Sequence, residues 1–511
     1  MHNDDTDVAL RYHEQTKHSY ESIRRGPHFL DYDNQPLSFK VYRDLEQTPL
    51  PDIGEPGRVS TLDSLERASA TSSTLPRLAD LGSLLYYAAG VTKKRRHPGG
   101  EILFRAAACT GALYHVELYV VSGPIDGLGA GVYHYGPKDS VLSRLRTGDW
   151  REVLVHASGG EPSLRNAPLA LVFTSTFWRN AWKYRARAYR HAFWDSGTIL
   201  ANLLAMASAL DLPARLVLGF ADENVNRLLD VSADKEAALG IVALGSGGGA
   251  IPSAPGPAEH LGVETAPLSR TEVDYPAIHE AHRASCLIDA REARAWRESG
   301  EDVSRAQGGG RSLEPFSDQD RPSEPIEAVI RKRGSARRFE RRPIGYRALS
   351  TILSTAATGL DADVVSGQGA LNDLYLIAND VGELPSGTYA YHAGGPALEL
   401  LKKGEFRSEA RYLDLEQDLA GDASVNIYML VSLERVLSRF GNRGYRLAQL
   451  EGGFLAGRMY LAAYALGLGA TGLTFFDDDV TEFFSPHATG KAVMFLLAIG
   501  VPATRKILYQ R

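Results

Sequence analysis

The sequence contains very little cysteine. Only Cys109 and Cys286 occur in 511 residues, which excludes a disulfide framework and a zinc site built from several cysteines. The sequence also lacks an uninterrupted apolar run of about 20 residues, so a membrane-spanning helix is not expected. The first five residues are polar and acidic, which argues against a secretory signal. These absences predict a cytoplasmic protein.

The chain also lacks a large charge of either sign. Its formal net charge is −6, with 44% hydrophobic and 23% charged residues, a composition typical of soluble globular proteins. So small an excess of negative charge predicts neither nucleic acid nor a membrane surface as a partner. A length of 511 residues exceeds that of one ordinary domain, because domains commonly contain about 100–200 residues.

One segment of the chain occurs twice. Residues 183–190 (KYRARAYR) recur as 439–446 (RFGNRGYR), an offset of 256 when position 443 is compared with 187. Three further pairs of segments match at this offset or one residue out of register: 131–135 with 387–391, 209–212 with 465–468, and 221–225 with 476–480. The period is far longer than the roughly 20–50 residues of a solenoid repeat. It predicts two homologous domains in one polypeptide, packed as an intramolecular pseudo-dimer.

Glycine- and proline-rich segments divide the chain into four predicted parts. These are an N-terminal leader (residues 1–75), a first domain (76–245), a linker (246–325) and a second domain (326–511). The linker starts in the glycine-rich run 245–249, which lacks the Lys-Ser/Thr ending of a phosphate-binding loop. Residues 278–297 are predicted to form one helix inside the linker.

The hydrophobic pattern predicts the same order of elements in each repeat: helix, strand, strand, long helix, strand. Residues 116–121 and 131–135 have the pattern of a buried hairpin. Residues 187–210 and 443–466 predict long apolar helices rich in small residues, which would form the interface between the repeats or simply cover their own sheets. The predicted fold class is α+β, a mixed sheet flanked by helices and built twice.

Four motifs, in one order along the chain, carry a resemblance to a known family. They are 110–119 (TGALYHVELY), 183–190 (KYRARAYR), 333–339 (RGSARRF) and 467–479 (GLGATGLTFFDDD). Together they resemble the nitroreductase-like flavoproteins, specifically the SagB/ThcOx-type dehydrogenases that oxidise azolines to azoles in modified peptides. The resemblance covers most of residues 78–245 and 326–511, and residues 12–19 also resemble the opening of that family.

The resemblance implies FMN as the cofactor, with its phosphate on the second repeat. Arg333, Gly334, Ser335 and Arg337 would hold this phosphate, because arginine offers a permanent charge and serine adds a neutral donor. The alternative is an exposed basic helix start. Arg505 would add a cation near the C-terminus, unless that segment is only a solvated basic tail.

The first repeat would supply the opposite wall of the same site. Ala108, Cys109 and Thr110 match a small-residue turn that contacts the flavin, although the family usually has serine at position 109, and Arg105 matches an upstream arginine. The second repeat has a shorter, non-aromatic turn at 369–373, and the first repeat lacks the arginine pair. Each repeat is complete where the other is deficient, which predicts one FMN site between the domains.

The loop 469–475 is expected to place a backbone N–H against flavin N5, with Gly472 and Thr474 as contacts, because glycine permits a close approach. The acidic residues 477–479 are interpreted as helix caps with a structural role, since their counterparts 222–224 are similarly acidic. No metal site is predicted. Four histidines lack ligand spacing and are interpreted as ordinary: His18, His28, His97 and His115.

Lys183 and Tyr184 are the predicted catalytic residues. In the azoline oxidases that the chain resembles, such a pair lies near the flavin and is thought to take the substrate proton as hydride passes to N5. A lysine can act as a base if desolvation or neighbouring cations lower its pKa. Three arginines are close enough in sequence to contribute: Arg179, Arg185 and Arg187. The alternative is a solvated lysine beside a tyrosine of the core.

These observations predict an FMN-dependent dehydrogenase that oxidises a heterocycle or an amino-acid-derived group, with oxygen reoxidising the flavin. The substrate would be a small molecule or a peptide, and partner enzymes of a biosynthetic pathway would fit such a role. Two alternatives stay open: an NAD(P)H-dependent reductase of nitro or quinone compounds, and a non-catalytic scaffold of a biosynthetic complex. The sequence names neither the substrate nor the state of further oligomerisation.

Overall fold

The structure is a computed structural model that describes residues 2–25, 28–67, 74–97, 100–302, 308–366 and 369–503. Within these ranges the chain forms two similar halves, each an antiparallel sheet with helices packed around it, which confirms the predicted α+β class. No helix of the described ranges is long and apolar enough to cross a membrane.

The first half contains a seven-stranded sheet of order β1-β6-β5-β4-β7-β9-β8, and β2 pairs only with β3. Its helices are α1 (Asp7–Gln15), α2 (Tyr20–Arg25), α3 (Thr61–Glu66), α4 (Leu78–Ala89), α5 (Arg151–Ala157), α6 (Pro162–Asn166), α7 (Phe177–Tyr184), α8 (Ala188–Ala209) and α9 (Asp222–Leu229). Its strands are β1 (Gln47–Pro49), β2 (Val91–His97), β3 (Gly100–Arg105), β4 (Val116–Ser122), β5 (Gly131–Gly136), β6 (Val141–Thr147), β7 (Leu169–Thr176), β8 (Ala214–Val217) and β9 (Glu236–Leu244).

The second half repeats this plan with an eight-stranded sheet of order β11-β16-β15-β14-β17-β19-β12, in which β18 also pairs with β19. Its helices are α10 (Pro276–Ala284), α11 (Ala290–Glu298), α12 (Ile326–Lys332), α13 (Tyr346–Ala356), α14 (Arg407–Leu413), α15 (Asp418–Asp422), α16 (Leu433–Phe440), α17 (Asn442–Ala465) and α18 (Asp477–Phe484). Its strands are β10 (Glu301–Asp302), β11 (Arg311–Ser312), β12 (Phe339–Glu340), β13 (Val365–Ser366), β14 (Asp373–Ala378), β15 (Gly387–His392), β16 (Ala397–Lys403), β17 (Val425–Val431), β18 (Gly469–Gly472) and β19 (Ala492–Pro502).

The two long helices, α8 and α17, pack against each other at the centre of the molecule. A Cβ atom placed on Gly453 would lie 2.3 Å from the carbonyl oxygen of Trp194, and one on Gly197 would lie 2.4 Å from the backbone nitrogen of Phe454. Contacts this short mean that the two backbones touch, which only glycine permits at these positions. The small residues therefore form the interface between the halves, which is the first of the two arrangements expected for these helices.

Arginines of each half also form ion pairs with a buried carboxylate of the other half. Arg187, which directly precedes α8, and Arg190 of α8 bind the two oxygens of Asp477 at 3.0 and 2.6 Å, and all three side chains are buried. Burial alone would raise the pKa of Asp477, but the two guanidinium groups hold it well below its usual range. Asp477 is therefore an ion-pair residue of the interface and not the helix cap that the sequence predicted.

The same arrangement occurs with the roles of the halves exchanged. Arg443 and Arg446 of α17 bind Asp222 of α9 at 2.6 and 2.7 Å. Burial raises the pKa of Asp222, but the two arginines outweigh it and lower the pKa to about 2. The two reciprocal clusters, Arg187-Asp477-Arg190 and Arg443-Asp222-Arg446, relate the halves as a pseudo-dimer.

Helices α1 and α10 take equivalent places beside these clusters. Arg190 donates to the carbonyl of His13 at 2.7 Å and to the hydroxyl of Thr16 at 3.0 Å. Arg446 donates to the carbonyl of His282 and to the hydroxyl of Ser285, both at 2.7 Å. The structural repeat thus begins with α1 in the predicted leader and with α10 in the predicted linker.

The prediction of one helix over residues 278–297 is wrong. The chain forms two helices, α10 and α11, separated by residues 285–289. Leu287 in this break donates its backbone N–H to Asp222 at 2.9 Å, and the carbonyl of Ser285 accepts from Arg443 at 3.0 Å. The backbone leaves the helical path because it takes part in the ion-pair cluster.

Candidate active site

A cavity of about 710 Å³ lies between the two halves. Its walls come from α7, α8, the β2–β3 hairpin and the turn before β4 in the first half, and from α17, β18 and the segments after α12 and β18 in the second. Every predicted site residue within the described ranges lines it: Arg105, Ala108, Cys109, Thr110, Lys183, Tyr184, Arg333, Gly334, Ser335, Arg337, Gly472 and Thr474. Arg505 lies outside the described residues.

The cavity wall carries a surplus of positive charge. Asp195 is the one carboxylate among the described residues that line the cavity. Six cationic side chains also line the cavity: Lys93, Arg95, Arg105, Lys183, Arg333 and Arg337. A cleft lined by charges of one sign concentrates ligands of the opposite sign. The wall therefore fits a ligand that carries a phosphate or another anion.

Arg333 joins the two halves beneath the cavity. Its guanidinium donates to the carbonyl of Ala106 at 2.7 and 3.0 Å and to that of Arg105 at 3.4 Å. Burial lowers its pKa. Two of its three nitrogens are thus committed to the first half, so Arg333 holds the cavity together as well as contributing charge.

Arg337 is the arginine of this motif that remains available. It is exposed and has no ion pair or hydrogen bond among the described residues. Ser335 lies nearby in sequence, with its hydroxyl 3.2 Å from the hydroxyl of Tyr460. Arg337 and Ser335 thus present a free cation and a hydroxyl at the cavity wall, which suits a phosphate.

Most of the guanidinium of Arg105 is bound to the protein itself. Its guanidinium donates to the carbonyl of Ser38 at 2.7 Å and of Val116 at 3.4 Å, and it lies 5.2 Å from the ring centre of Tyr114. Its Nε is buried without a partner in the described ranges. Arg105 therefore fastens the N-terminal segment to β4, and only Nε is left to face a ligand.

Asp195 of α8 organises the turn that contains Cys109 and Thr110. Its carboxylate accepts from the backbone N–H of Thr110 at 3.0 Å, from the Thr110 hydroxyl at 2.8 Å and from the Cys109 thiol at 3.0 Å. His115 lies 2.8 Å away on the same carboxylate, so this histidine has a structural role that the sequence did not indicate. Burial and the neighbouring Asp195 raise the pKa of Cys109, which keeps it a neutral thiol.

Sequence reasoning missed Asp195, although one signal was available. The repeat offset of 256 places Glu451 opposite Asp195, and Glu451 accepts from the backbone N–H of Asn372 at 2.8 Å. A carboxylate at the same place in both apolar helices indicates a shared buried acceptor for a turn.

The two predicted contacts of the loop after β18, Gly472 and Thr474, differ in which backbone N–H group is available. The backbone N–H of Gly472 already donates to the hydroxyl of Tyr460 at 2.6 Å. The N–H of Thr474, in contrast, has no partner in the described ranges, and the Thr474 hydroxyl is buried without one. Unpaired buried polar groups are rare in proteins, so these two donors fit a polar ligand in the cavity.

Lys183 and Tyr184 end α7 at the cavity. The ammonium of Lys183 lies 5.3 Å from the ring centre of Tyr184, whose ring packs edge-on against His191 at 4.7 Å. A Cβ atom on Gly111 would lie 2.7 Å from the Tyr184 hydroxyl, and Gly111 has φ +66°. Burial raises the pKa of Tyr184, so the hydroxyl stays protonated at neutral pH.

Two of the three arginines expected to act on Lys183 are neutralised by ion pairs. Arg179 binds Glu117 at 2.5 Å, and Arg187 binds Asp477 in the interface cluster. Arg185 is exposed and has no ion pair in the described ranges. The predicted cationic field at Lys183 is therefore limited to Arg185 and the cations of the cavity wall.

The equivalent crevice on the other side of the pseudo-dimer is covered by the chain itself. In this crevice Arg439 and Phe440 take the positions of Lys183 and Tyr184. Arg439 donates to the carbonyl of Gly300 at 2.9 Å, and the indole of Trp296 in α11 donates to the carbonyl of Phe440 at 2.8 Å. Helix α11 and the residues after it thus lie over this position.

A carboxylate also occupies the covered crevice. Asp363 accepts from the backbone N–H groups of Leu218 at 2.7 Å and Gly219 at 3.0 Å. These two residues correspond to Leu473 and Thr474 of the open crevice. Burial raises the pKa of Asp363 to about 6, even though these two donors act to lower it. In the open crevice the N–H of Leu473 donates to the carbonyl of Leu496 at 3.2 Å, whereas the N–H of Thr474 has no partner in the described ranges. The chain itself thus binds, in the covered crevice, the donor that corresponds to Thr474.

A larger cavity, of about 1070 Å³, lies on the first half between α5, α9 and α11. None of the predicted site residues lines it. Its arginines point to carbonyls and carboxylates of the protein: Arg165 to Gly160, Arg294 to Gly159 and Arg227 to Glu223. The inter-half cavity is therefore the candidate active site.

Comparisons with known proteins agree with this architecture. The sequence profile of the nitroreductase family matches residues 74–246 and 330–501. A putative nitroreductase from Anabaena variabilis has a similar structure, with a TM-score of 0.76 and 25% sequence identity, covering 97% of this chain and 99% of that one. The likeness therefore extends over both halves.

Two curated proteins are similar in sequence. The putative nitroreductase MJ1384 of Methanocaldococcus jannaschii is 26% identical over 188 residues, which are 37% of this chain and 91% of that protein. The microcin B17-processing protein McbC of Escherichia coli is 30% identical over 126 residues, 24% of this chain and 46% of McbC. With both halves matched by one family profile, the chain belongs to the nitroreductase family of oxidoreductases and carries two of its domains in tandem.

Proposed function

We propose that the protein is an FMN-dependent dehydrogenase that oxidises a heterocycle or another amino-acid-derived group, such as an azoline, on a peptide or other natural-product precursor. The observation that carries the proposal is the composition of the open crevice, which brings Lys183 and Tyr184 together with the free Arg337. Similarity to a microcin-processing protein supports a peptide-derived substrate.

The residues of the crevice fit FMN in two ways. Arg337 and Ser335 would hold its phosphate, and Thr474 offers an N–H and a hydroxyl that lack partners in the described ranges. Ala108, Cys109 and Thr110 form a wall of small side chains that Asp195 fixes in place. When bound, FMN supplies the acceptor for the hydride that leaves the substrate.

Dehydrogenation of a C–C or C–N bond releases a proton in addition to the hydride, so the site needs a base. Lys183, in its neutral form, would take this proton. Tyr184 stays protonated because burial raises its pKa, and its hydroxyl would donate a hydrogen bond that orients the substrate. Cys109 is a neutral thiol, and burial holds the pKa of His18 near 3, so neither supplies or removes a proton near neutral pH.

The proposal is tested by anaerobic bleaching of the flavin with a short peptide that carries a thiazoline. Lys183→Gln is expected to slow bleaching by a factor of about 10²–10⁴, because general bases contribute rate factors of this size, with FMN still bound. Lys138→Gln is the matched control, since it removes the same charge from an exposed lysine that does not line the cavity and should change the rate less than about twofold.

Three results would contradict the proposal at different points. Unchanged bleaching by Lys183→Gln would exclude it as the base. Rapid bleaching of the wild type by NAD(P)H, with none by the thiazoline peptide, would favour the nitro or quinone reductase. A purified chain that takes up no added FMN would favour the non-catalytic scaffold.

A further inference from the structure

The β2–β3 hairpin of the first half forms one edge of the cavity. It pairs with no other strand among the described residues, and Lys93 and Arg95 of β2 line the cavity together with Phe104 of β3. Lys93 lies opposite Phe104 and Arg95 lies opposite Ile102 in the strand register. Because side chains alternate along a strand, these four share the face turned to the cavity.

Lys93 anchors this hairpin to the second half. Its ammonium donates to the carbonyl of Lys332 at 2.8 Å and to that of Arg333 at 2.6 Å. These carbonyls end α12, where the helix dipole favours a cation. The contact fixes the base of the hairpin, and it leaves the charge of Lys93 largely satisfied by the protein.

Arg95, in contrast, has no hydrogen bond or ion pair in the described ranges. Its neighbour on the opposite face, Arg96, lies 3.8 Å from Glu101. On the cavity-facing side Arg95 lies opposite Ile102 and beside Phe104, the partner of Lys93 in the register, and Ile102 is 43% exposed. A guanidinium with free donors beside exposed apolar surface is suited to a ligand that is anionic at one end and apolar at the other.

The cofactor does not account for this charge. Arg337 and Ser335 already present a cation and a hydroxyl to a phosphate from the second half, whereas Arg95 projects from the first half. One FMN phosphate supplies about two negative charges and Asp195 supplies one more, whereas six cationic side chains line the cavity, or five when Lys183 is neutral. The cavity therefore has a cation to spare once the phosphate is placed.

We propose that Arg95 binds an anionic group of the substrate, a carboxylate or a group of similar charge, while the apolar body of the substrate packs against Phe104 and Ile102. This inference rests on the proposed function, because it assigns the substrate class of the same crevice. The anion reaches Arg95 at the rim of the cavity, and the bond to be oxidised lies further in, near Lys183 and Tyr184.

The test compares a charged and a neutral oxidant of the same FMN-loaded protein. The photoreduced flavin is mixed with 1,4-naphthoquinone-2-sulfonate or with 2-methyl-1,4-naphthoquinone. In either reaction two electrons and two protons pass from the reduced flavin to the quinone, which gives oxidised flavin and the hydroquinone. Arg95→Gln is compared with Lys94→Gln, which removes the same charge from the opposite face of the hairpin. The FMN dissociation constant of each variant is measured by fluorescence.

Arg95→Gln is expected to lower the second-order rate constant for the sulfonate about tenfold, the effect of one lost charge-assisted contact. The rate with the neutral quinone and the FMN dissociation constant should stay within about twofold, as should all values for Lys94→Gln. Equal losses with both quinones would overturn the inference. A tenfold weaker FMN complex would instead assign Arg95 to the cofactor phosphate. A wild-type chain that takes up no FMN would overturn the proposed function itself and this inference with it.

Discussion

At the scale of single residues, the candidate site depends on contacts that a slightly larger side chain would prevent. The Tyr184 hydroxyl reaches the cavity only because residue 111 has no Cβ, and Gly111 also adopts φ +66°. The sequence showed the motif that contains Gly111 and the Lys-Tyr pair. It did not show that the two motifs touch, since 72 positions, from 111 to 183, separate them.

Replacement of Gly111 tests this contact. In Gly111→Ala the new methyl group would lie 2.7 Å from the Tyr184 hydroxyl, so the tyrosine must move. We expect turnover to fall by about 10- to 100-fold, because small misplacements of catalytic groups have effects of this order. Steady-state turnover with the flavin content held equal is the measurement.

Gly249→Ala provides the control for backbone strain. Gly249 has φ +71° and nothing within 4 Å of its Cβ position, so this variant has comparable strain without the steric contact. Its activity should match the wild type. If both variants lose activity equally, the contact with Tyr184 has no special part in the site.

At the scale of elements, the long central helices show what a hydrophobic pattern does and does not determine. Their lengths follow from the continuous apolar sequence, and α8 and α17 begin and end within one residue of the predicted limits. The linker shows the opposite case. Its residues 278–297 have a helical pattern, yet hydrogen bonds of residues 285–287 to a distant ion-pair cluster break the helix in two. Local periodicity contains no information about that partner.

The packing of α17 on α8 leads to a prediction with two adjacent glycines. Gly453→Ala should destabilise the protein by about 1–3 kcal/mol, because its methyl group would meet the backbone of Trp194 at 2.3 Å. Gly452→Ala is the control, since its nearest neighbour is a side-chain carbon of Phe495 at 3.3 Å and alanine favours a helix over glycine by about 1 kcal/mol.

Urea unfolding, followed by far-UV circular dichroism, measures the free energy of unfolding of both variants. The expected order of stability is Gly452→Ala equal to or above the wild type, with Gly453→Ala clearly below it. An equal effect of the two substitutions would show that the helices do not cross as closely as the structure describes.

At the scale of the whole molecule, the two reciprocal ion-pair clusters hold the halves together. Each places one aspartate between two buried arginines of the other half. Removal of one partner from such a cluster leaves buried charge uncompensated, which is more harmful than replacement of the whole group by apolar residues.

These clusters predict a loss of stability in acid. The pKa of Asp222 is about 2 in the folded protein and about 3.9 in an unfolded chain. A lowered folded pKa means that the contribution is fully present above about pH 4 and is lost as the pH falls from about 4 towards 2. Thermal unfolding across this range should show the decline.

Asp222→Asn should be less stable at neutral pH by about 3–5 kcal/mol, and its unfolding temperature should change less between pH 4 and 2. If the unfolding temperature of the variant falls between pH 4 and 2 as much as that of the wild type, other carboxylates cause the loss of stability in acid.

The covered second crevice predicts one FMN per chain. Helix α11 lies over the counterparts of Lys183 and Tyr184, and Asp363 takes the two backbone donors there. Absorbance of the purified protein, with the released cofactor identified by mass spectrometry, gives the ratio of flavin to chain. Two cofactors per chain would show that the second crevice opens in solution.

The sequence by itself determined the duplication, the α+β class and the residue types of the candidate site, because these follow from repeated motifs, hydrophobic period and composition. Tertiary structure decided the partners. It committed Arg333, Arg105 and the N–H of Gly472 to the protein, left Thr474 and Arg95 free, and closed one of two similar crevices. The reason is physical: hydrogen bonds and ion pairs form between groups that meet in space, and the chain positions that meet here are often more than 200 residues apart.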